Sequence, residues 1–292
     1  MSFREVLVVP PRYFDVVDSY NTRMRPDHPF GRPDKKKVVA QWGGLLFTLW
    51  HDLGIETRFL EPAPGLCDMG FACDPGLWIN DYFIAGNFQV PQRQPEVAAF
   101  MKWFAERGCE RIQLPKGTYF EGGDCVMVGN TALIGYGNDR TNQEGVRVLK
   151  VILERLGCSV IPIRRVMEEF YHLNSVMTYY PSANLLVYLQ DAFDGLTWSA
   201  LKNGLPGVKL AVLSNGGAFR YHPAFGGEYL YSYCLNSLES RGKVVMPYCS
   251  DEHRRLLEEH HLQPIVPEGG SSEWERSGGS YRCMTMIHNV VS

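Results

Sequence analysis

The sequence lacks the patterns that mark several large classes of protein. Its 29 lysines and arginines form no cluster beyond residues 35–37, and the formal net charge is −3, so a nucleic-acid-binding surface is not indicated. That short basic run, in "DKKKVV", is typical of the solvated start of a helix. The apolar run after Glu5 is four residues long and two prolines follow it, which is too short for a signal-peptide core or a membrane span. We therefore expect a cytoplasmic protein with neither a nucleic-acid nor a membrane partner.

Signatures of metal and cofactor binding are missing too. The eight cysteines include no CxxC pair, and the eight histidines do not stand beside them at the spacing of zinc ligands. The paired glycines at 216–217 and 226–227 lack the GxGxxG spacing of a dinucleotide site, and no GKS or GKT phosphate loop occurs. The sequence therefore predicts free thiols, no metal and no organic cofactor.

The sequence does contain a repeated alternation of short β-like runs and amphipathic helical stretches. Helical stretches that begin near residues 35, 94, 141 and 251 are each followed within a few residues by a short strand, and a fifth such pair fits residues 197–213. Repeated helix-then-strand units indicate an α/β protein with a closed, pseudo-symmetric arrangement. Because no linker or low-complexity segment divides the chain, residues 1–292 are predicted to form a single domain.

Several carboxylates stand where turns would hold them in place. In "FEGGD", two glycines between Glu121 and Asp124 predict a tight, backbone-exposed turn directly before an apolar strand, although an ordinary β-turn explains the same residues. In "CDMGFACD", Asp68 and Asp74 lie six residues apart, and they can meet at one ligand only if the backbone bends between them. Carboxylates fixed in this way are suited to orient a base or to hold a cation.

Cys283 and His172 are the candidates for covalent catalysis. Cys283 lies in "SGGSYRCMTMIHN", which is predicted as a late apolar strand, and the glycines at 278 and 279 would leave space for a planar substrate and a mobile loop. A cysteine nucleophile needs a proton donor for the leaving group and a carboxylate that orients the imidazole. Cys283, His172 and Glu121 supply those groups if the fold brings them together. A buried thiol and a core histidine are the alternatives.

Five motifs, taken in order, resemble those of the guanidino-group-modifying superfamily: "CDMGFACD", "FEGGD", "RTNQEG", "HLNSV" and "SEWERSGGSYRCMTM". That superfamily holds arginine deiminases, dimethylarginine dimethylaminohydrolases, arginine dihydrolases and amidinotransferases. The opening "VVPPRYFDV" is similar to the N-terminal strand of the amidinotransferase and dihydrolase branch. The resemblance implies a five-bladed α/β propeller, or pentein, of ββαβ-type units around a polar central site. Its members are often dimers, so a homodimer is expected.

The resemblance also implies roles for individual residues. The superfamily's nucleophile falls on Cys283, its acid and base on His172, and the glutamate that holds this histidine on Glu121. The implied substrate-binding positions are Asp74 for the guanidinium nitrogens, the upstream Asp68, and Arg140 for a substrate carboxylate. The implied reaction passes through an S-alkylthiouronium on the cysteine.

Three departures from the superfamily pattern narrow the expected substrate. Asn174 stands where arginine deiminases have a second guanidinium-binding aspartate, and Asp74 stands where arginine dihydrolases commonly have asparagine. Gln89 replaces an arginine that is frequent in relatives, and Arg93 is the candidate to compensate for it. The sequence therefore favours a C–N hydrolase that acts on a small guanidino compound, arginine or an N-substituted arginine, with "RTN" as the match to dimethylargininases.

Two other functions stay open at this point. An amidinotransferase would form the same intermediate but pass the amidino group to an amine; the N-terminal resemblance favours it, whereas the short loops and "RTN" favour hydrolysis. A non-catalytic guanidino-binding or protein-interaction module on the same propeller is the alternative from a different class. The reactivity of Cys283 would separate that module from an enzyme.

Overall fold

A computed structural model describes residues 5–137, 140–166 and 170–291 of the chain. Within these ranges the structure contains seven α-helices and seventeen short strands. The helices are α1 (Lys35–Phe47), α2 (Glu96–Ala105), α3 (Gln143–Arg155), α4 (Leu173–Val176), α5 (Gly195–Gly204), α6 (Asn215–Ala218) and α7 (Asp251–Glu259). The strands are β1 (Glu5–Val8), β2 (Glu56–Phe59), β3 (Gly76–Ile79), β4 (Tyr82–Ala85), β5 (Glu110–Gln113), β6 (Cys125–Val128), β7 (Thr131–Tyr136), β8 (Ser159–Arg164), β9 (Met177–Tyr180), β10 (Leu185–Leu189), β11 (Lys209–Leu213), β12 (Phe219–His222), β13 (Glu228–Tyr231), β14 (Leu238–Ser240), β15 (Lys243–Val245), β16 (Gln263–Ile265) and β17 (Met286–Asn289).

Most of the strands group into repeated three-stranded units. In the unit β3–β4–β5, strand β4 pairs with β3 antiparallel and with β5 parallel, and helix α2 connects β4 to β5. The same pairing and connection occur in β6–β7–β8 with α3, in β9–β10–β11 with α5, and in β14–β15–β16 with α7. Strands β12 and β13 form an additional antiparallel hairpin.

The two ends of the chain build a fifth unit of this kind together. Strand β17 pairs antiparallel with β1, β1 pairs parallel with β2, and α1 connects β1 to β2. Strand β17 also pairs parallel with β3, so a six-stranded sheet runs β2–β1–β17–β3–β4–β5. The five helix-then-strand pairs predicted from the sequence are therefore confirmed in the described part of the chain, and the fold is a mixed α/β fold.

Local sequence explains where the helices begin. The side chain of Asp34 accepts hydrogen bonds from the backbone N–H groups of Lys36 and Lys37, so the basic run is the start of α1 as predicted. Asn142 accepts in the same way from the backbone N–H of Gly145 at the start of α3. Each cap stabilises its helix because it satisfies a donor that has no partner inside the helix.

The helices bury one face against the strands of their own unit. Leu149 and Leu153 of α3 are fully buried in one apolar cluster with Ile134 of β7. This packing fixes the strands, and the turns that precede the strands are fixed with them. None of the described helices is both long and apolar enough to cross a membrane.

The prediction of a strand at Cys283 is wrong. Strand β17 begins only at Met286, and Cys283 lies in the turn before it. The backbone N–H of Met284 donates to the carbonyl oxygen of Ser280, and the N–H of Cys283 donates to Asn236 Oδ1. These bonds hold the backbone in a turn and keep it from pairing with a neighbouring strand.

The prediction of a tight turn at "EGGD" is confirmed, but the turn is not exposed. Residues 122–124 form one turn of 3-10 helix before β6, and both glycines are buried. A Cβ atom on Gly122 would lie 2.1 Å from the carbonyl oxygen of Cys73, and one on Gly123 would lie 2.5 Å from the His172 ring. Glycine is needed here because two other segments pack directly against the turn.

Candidate active site

Five turns bring polar side chains to one place, and each turn lies just before the first strand of a unit. Asp74 precedes β3, Glu121 precedes β6, and His172 precedes β9 with α4 in between. Asn236 precedes β14, and Cys283 precedes β17. All five residues are at most 2% exposed. The structure therefore brings together the nucleophile, acid/base and carboxylates expected from the sequence, although they are far apart along the chain.

The Cys283 thiol is held by amide groups. Asn236 donates from Nδ2 to Cys283 Sγ at 3.1 Å, and its Oδ1 accepts from the backbone N–H of Cys283 at 3.1 Å. Asn174 Oδ1 lies 3.6 Å from the same sulfur. Asn236 thus contacts both the backbone and the side chain of Cys283.

Neighbouring groups favour the thiolate form of Cys283. Burial raises the pKa of a thiol, but hydrogen bonds from Cys73 and His172, together with the positive charge of His172, lower the pKa of Cys283 below its ordinary value. The nearby charge of Asp74 opposes this without reversing it. The sulfur is therefore poised as a nucleophile.

His172 lies between two carboxylates. Its Nε2 is 2.8 Å from Glu121 Oε2, and its Nδ1 is 3.5 Å from Asp74 Oδ1. Burial lowers the pKa of an imidazole, but the charge of Asp74 and the hydrogen bonds with Cys283 and Glu121 outweigh burial and raise the pKa of His172. Nδ1 faces Asp74 and the Cys283 thiol and is not tied by a hydrogen bond of ordinary length within the described part of the chain. This nitrogen is free to give a proton to a leaving group.

Glu121 stays ionised in spite of its burial. Burial raises its pKa, but the charge of Arg140 and the hydrogen bond with His172 lower it to about 2. Arg140 Nη1 lies 3.3 Å from Glu121 Oε1, and its Nη2 donates to the carbonyl oxygen of Tyr20 at 2.8 Å. The Arg140 guanidinium also lies over the Tyr20 and Tyr171 rings. Glu121 thus orients the imidazole, and Arg140 orients Glu121.

Asp74 already holds one guanidinium, that of Arg93. Arg93 Nη1 donates to Asp74 Oδ2 at 2.6 Å, and the rest of its fork donates to both carboxylate oxygens of Glu96 at 2.9 and 2.8 Å. The other oxygen of Asp74 accepts from the Cys73 thiol at 2.8 Å and faces His172. Asp74 therefore presents Oδ1 towards the reactive groups while Arg93 holds Oδ2.

Asp68 and Asp74 both contact the Arg93 guanidinium, so the backbone between them bends as a shared contact requires. Arg93 Nη2 donates to the Asp68 carbonyl oxygen at 3.2 Å, and Asp68 Oδ1 accepts from Ser277 Oγ at 2.6 Å. Burial raises the pKa of Asp68 to about 6 and that of Glu96 to about 7. Carboxylates outnumber cations in this region, so an additional cation would be stabilised there.

Asn174 lies inside the site, whereas Gln89 lies on the surface. Asn174 is buried, and its Nδ2 lies 3.4 Å from Cys73 Sγ, so the residue that departs from the deiminase pattern touches both thiols. Gln89 is exposed, whereas Arg93 is buried among the carboxylates. Of the two alternatives raised by the sequence, Arg93 is the one that reaches the site.

The expectation that Gly278 and Gly279 leave space for a substrate and a mobile loop is wrong. A Cβ atom on Gly278 would lie 2.7 Å from the Tyr171 hydroxyl, and one on Gly279 would lie 2.5 Å from the Phe71 ring. Gly278 also has a φ of 94°, which side chains disfavour. The Tyr171 hydroxyl donates to the Gly278 carbonyl oxygen at 2.5 Å. The glycines admit packed aromatic side chains rather than open space.

Two sets of donor atoms are close enough to hold one cation. Donor atoms of Cys73, Asp74 and Cys283 lie within 4.8 Å of one another, and so do those of Asp74, Glu121 and His172. Both sets contain Asp74, so a metal ion and a guanidinium would compete for the same atoms. A cavity of about 600 Å³ adjoins the site and is lined by Asn174 and Arg282.

Sequence reasoning missed Asn236, Glu96 and the proximity of Cys73 to Cys283. Glu96 lies in the first turn of α2, where an acidic residue is common, so the sequence contains no sign of its contact with Arg93. Asn236 could have been found from the repeat, because it occupies the same place before β14 that Asp74 occupies before β3.

Replacing Asn236 with alanine is expected to lower kcat by about 10- to 100-fold while KM changes by less than about threefold. The lost amide donor destabilises the thiolate, so the acid limb of the pH profile of kcat/KM should move to higher pH. Asn236→Asp keeps the size of the side chain but places a negative charge beside the sulfur, and it should move that limb further. Steady-state kinetics over a pH series measure both effects. An unchanged acid limb in both variants would show that Asn236 does not act on the thiolate.

Several known proteins resemble this chain over most of its length. A dimethylarginine dimethylaminohydrolase from Pseudomonas aeruginosa is 31% identical over 265 residues, which cover 88% of this chain and 90% of that protein. The corresponding enzyme of Mycobacterium tuberculosis is 27% identical over 286 residues, with 98% and 86% covered. The bifunctional arginine dihydrolase/ornithine cyclodeaminase ArgZ of Synechocystis is 25% identical, and this chain spans 37% of its length. No model of a known protein family matches the chain.

Solved structures share the fold. The N-terminal domain of ArgZ covalently bound to a reaction intermediate matches with a TM-score of 0.85 at 23% identity, covering 98% of both chains. A dimethylarginine dimethylaminohydrolase adduct with S-methyl-L-thiocitrulline matches with a TM-score of 0.76 at 21% identity, covering 98% of this chain and 99% of that one. These matches confirm the mixed α/β fold.

Fold, site and relatives together define the protein as a C–N hydrolase of the guanidino-group-modifying superfamily. Within that superfamily, the chain belongs to the family of the dimethylarginine dimethylaminohydrolases. The expectation of a guanidino hydrolase is thereby confirmed.

Proposed function

We propose that the protein hydrolyses arginine or an N-substituted arginine at the guanidino carbon, with Cys283 as nucleophile, and releases a ureido product and ammonia or an amine. The observation that carries this proposal is the buried array of Cys283, His172 and Glu121 beside Asp74. The family relatives act on dimethylarginine, which is an N-substituted arginine, and this supports the substrate class.

In the first half of the reaction, Asp74 holds the substrate guanidinium through Oδ1, the oxygen that Arg93 leaves available. A carboxylate that accepts N–H bonds keeps the planar cation in place and preserves its charge. The Cys283 thiolate attacks the guanidino carbon, and a C–S bond forms. His172 gives its proton to the departing nitrogen as the C–N bond breaks, which leaves an S-alkylthiouronium and a neutral imidazole.

In the second half, the neutral His172 takes a proton from a water molecule. The resulting hydroxide equivalent attacks the thiouronium carbon, and collapse of the adduct expels the Cys283 thiolate; the protonated urea that remains loses its proton to the released amine or to water and becomes the ureido product. Glu121 keeps the imidazole in one orientation in both halves, since its Oε2 stays on Nε2 while Nδ1 faces the reaction. His172 gives a proton in the first half and regains one in the second, so the imidazole ends the cycle in the protonation state in which it began.

Arg140 and Arg93 are proposed to bind the polar end of the substrate. Both guanidinium groups are buried and charged next to the catalytic groups. Each already contacts a carboxylate of the site, Glu121 in one case and Asp74 in the other. A substrate carboxylate would therefore compete with, or share, these contacts.

Residues 18–24 are proposed to open for substrate entry. This segment lies over the site: the Tyr20 carbonyl oxygen accepts from Arg140, and Asn21 Nδ2 donates to the Ser277 carbonyl oxygen at 3.0 Å. Because Cys283 is only 1% exposed, a substrate can reach it only after part of the cover moves.

The whole chain is proposed to form one domain, a closed propeller of five blades. The pairing of β17 with both β1 and β3 supports closure, because it joins the two ends of the chain to the first internal unit. A cytoplasmic location is proposed as well, since all eight cysteines are free thiols. A homodimer is the further expectation for such a domain.

A screen of guanidino compounds by mass spectrometry tests the proposed function. Arginine and its N-methylated derivatives should give a ureido product and ammonia or the matching methylamine, and Cys283→Ser should give neither. The same reactions are run with and without added glycine or lysine. Ornithine that forms only when an acceptor amine is present would identify a transferase and overturn the proposal.

A further inference from the structure

Cys73 and Cys283 lie side by side although 210 residues separate them. Their sulfur atoms are within 4.8 Å of one another, and the backbone N–H of Cys73 donates to the carbonyl oxygen of Cys283 at 3.0 Å. Both residues are buried, with exposures of 2% and 1%. The proposed hydrolysis uses the sulfur of Cys283 as nucleophile and gives the sulfur of Cys73 no covalent role.

The backbone contact makes a covalent bond between the two sulfurs feasible. A disulfide needs Cα atoms about 4.4–6.8 Å apart and sulfur atoms about 2.05 Å apart. Two residues joined by one backbone hydrogen bond meet the first condition approximately. Both cysteines lie in turns and not within a helix or strand, so small rotations can bring the sulfurs together.

The pKa values of the two thiols are shifted in opposite directions, as is expected of a reactive cysteine and its resolving partner. Hydrogen bonds and the charge of His172 lower the pKa of Cys283, so its thiolate is the reactive partner. Burial, Cys283 and Asp74 raise the pKa of Cys73 well above its ordinary value, so Cys73 stays protonated until its neighbour is modified. Asn174 and Asp74 contact Cys73 Sγ and hold it in reach.

We propose that Cys73 is a resolving cysteine, which forms a reversible disulfide with Cys283 when a peroxide oxidises the site. The proposal rests on the proposed role of Cys283 as an accessible nucleophile. Hydrogen peroxide is smaller than any guanidino substrate, so the opening that admits a substrate also admits the oxidant. The disulfide would switch the hydrolase off and protect its nucleophile from irreversible oxidation.

The disulfide would form in two steps. The Cys283 thiolate attacks one oxygen of hydrogen peroxide; the S–O bond forms, the O–O bond breaks, and the leaving hydroxide takes a proton to become water. The sulfur of Cys73 then attacks the sulfur of the Cys283 sulfenic acid; the S–S bond forms, and the hydroxyl leaves as water with the thiol proton. Two thiols are oxidised by two electrons, and one peroxide is reduced to two waters.

Oxidation of the full-length protein with hydrogen peroxide tests the proposal. Peptide mapping by mass spectrometry without reduction should find a peptide that links Cys73 to Cys283 and is lighter by two hydrogens than the two free peptides. Activity should fall at least about tenfold and return on addition of dithiothreitol. In Cys73→Ser, Cys283 should proceed to the sulfinic acid, and dithiothreitol should restore nothing. Cys109→Ser, which removes a thiol away from the site, should behave like the wild type.

The test stays informative even if Cys73→Ser is inactive, because the oxidation state of Cys283 is read by mass and circular dichroism reports whether the variant is folded. Sulfinic acid at Cys283 in the wild type without a linked peptide would overturn the redox proposal. A disulfide from Cys283 to any other cysteine would overturn it too. A different result would contradict the proposed hydrolysis: the Cys283→Ser variant would keep its activity before any oxidant is added.

Discussion

Replacing Cys283 with serine is expected to lower kcat by at least about 10³-fold and to leave substrate affinity within a few-fold of the wild type. A serine hydroxyl keeps the size of the side chain and its contact with Asn236, but it has no thiolate to attack the guanidino carbon. Asp74 is untouched, so the guanidinium still has its partner. Steady-state kinetics measure kcat, and calorimetry with the inactive variant measures affinity.

The matched control is Cys109→Ser, which removes a partly exposed thiol outside the site. It should have the kinetic constants of the wild type. A further readout is covalent: incubation of the wild type with a slow substrate should add to the Cys283 peptide the mass of the substrate less the departing ammonia or amine, whereas a transferase would add the amidino group alone. Activity within tenfold of the wild type in Cys283→Ser would show that the reaction does not pass through a cysteine adduct.

His172→Gln is the second substitution with a large expected effect, a loss of kcat/KM of at least about 10³-fold at pH 7. It removes the proposed proton donor for the leaving nitrogen and the proposed base that activates water. It also removes the hydrogen bond and the positive charge of His172 that lower the pKa of Cys283, so burial and Asp74 then raise the pKa of that thiol against the Cys73 hydrogen bond alone. The thiolate would be scarce at pH 7 in this variant.

The pH dependence of kcat/KM should differ between the wild type and His172→Gln. In the wild type, kcat/KM should rise as the pH increases through about 6, where Cys283 loses its proton. It should fall as the pH increases through about 10, where His172 loses the proton that the leaving group needs. In His172→Gln the residual activity should keep rising with pH, because only the supply of thiolate limits it.

His51→Gln serves as the control, since His51 is an exposed residue after α1. Its profile should coincide with that of the wild type. If His172→Gln kept a falling alkaline limb near pH 10, then another group would supply the proton and His172 would be a binding residue only.

The repeated units were predictable because the signals that start and stop each helix lie within the helix or next to it in the sequence. Polar caps such as Asp34 and Asn142 and one-sided apolar spacing act within a few residues, so the sequence alone reveals them. The turn at "EGGD" was predictable for the same reason. Its burial was not, because burial depends on two distant segments, around Cys73 and His172, that meet the glycines only in the folded chain.

The sequence predicted candidate reactive groups that the fold does bring together, but it did not predict their partners. Cys283, His172, Glu121 and Asp74 stand in motifs that can be read along the chain. The ion pair between Arg93 and Asp74 depends on how α2 packs against the turn before β3, and no short-range pattern encodes such packing. The strand predicted at Cys283 failed because its apolar neighbours suggested β structure, whereas side-chain bonds from Asn236 hold the turn.

Each of the five units contributes one central side chain, and that residue lies in the turn before the first strand of the unit. The scaffold therefore separates two tasks: the strands and helices set where the five positions lie, and the residue type at each position sets the chemistry. The five positions are nevertheless coupled, because Asn236 holds the backbone of Cys283 and Asp74 lies beside His172. A substitution at one of these positions is therefore expected to act on its neighbours as well, so that a new specificity would need matched changes at positions in contact.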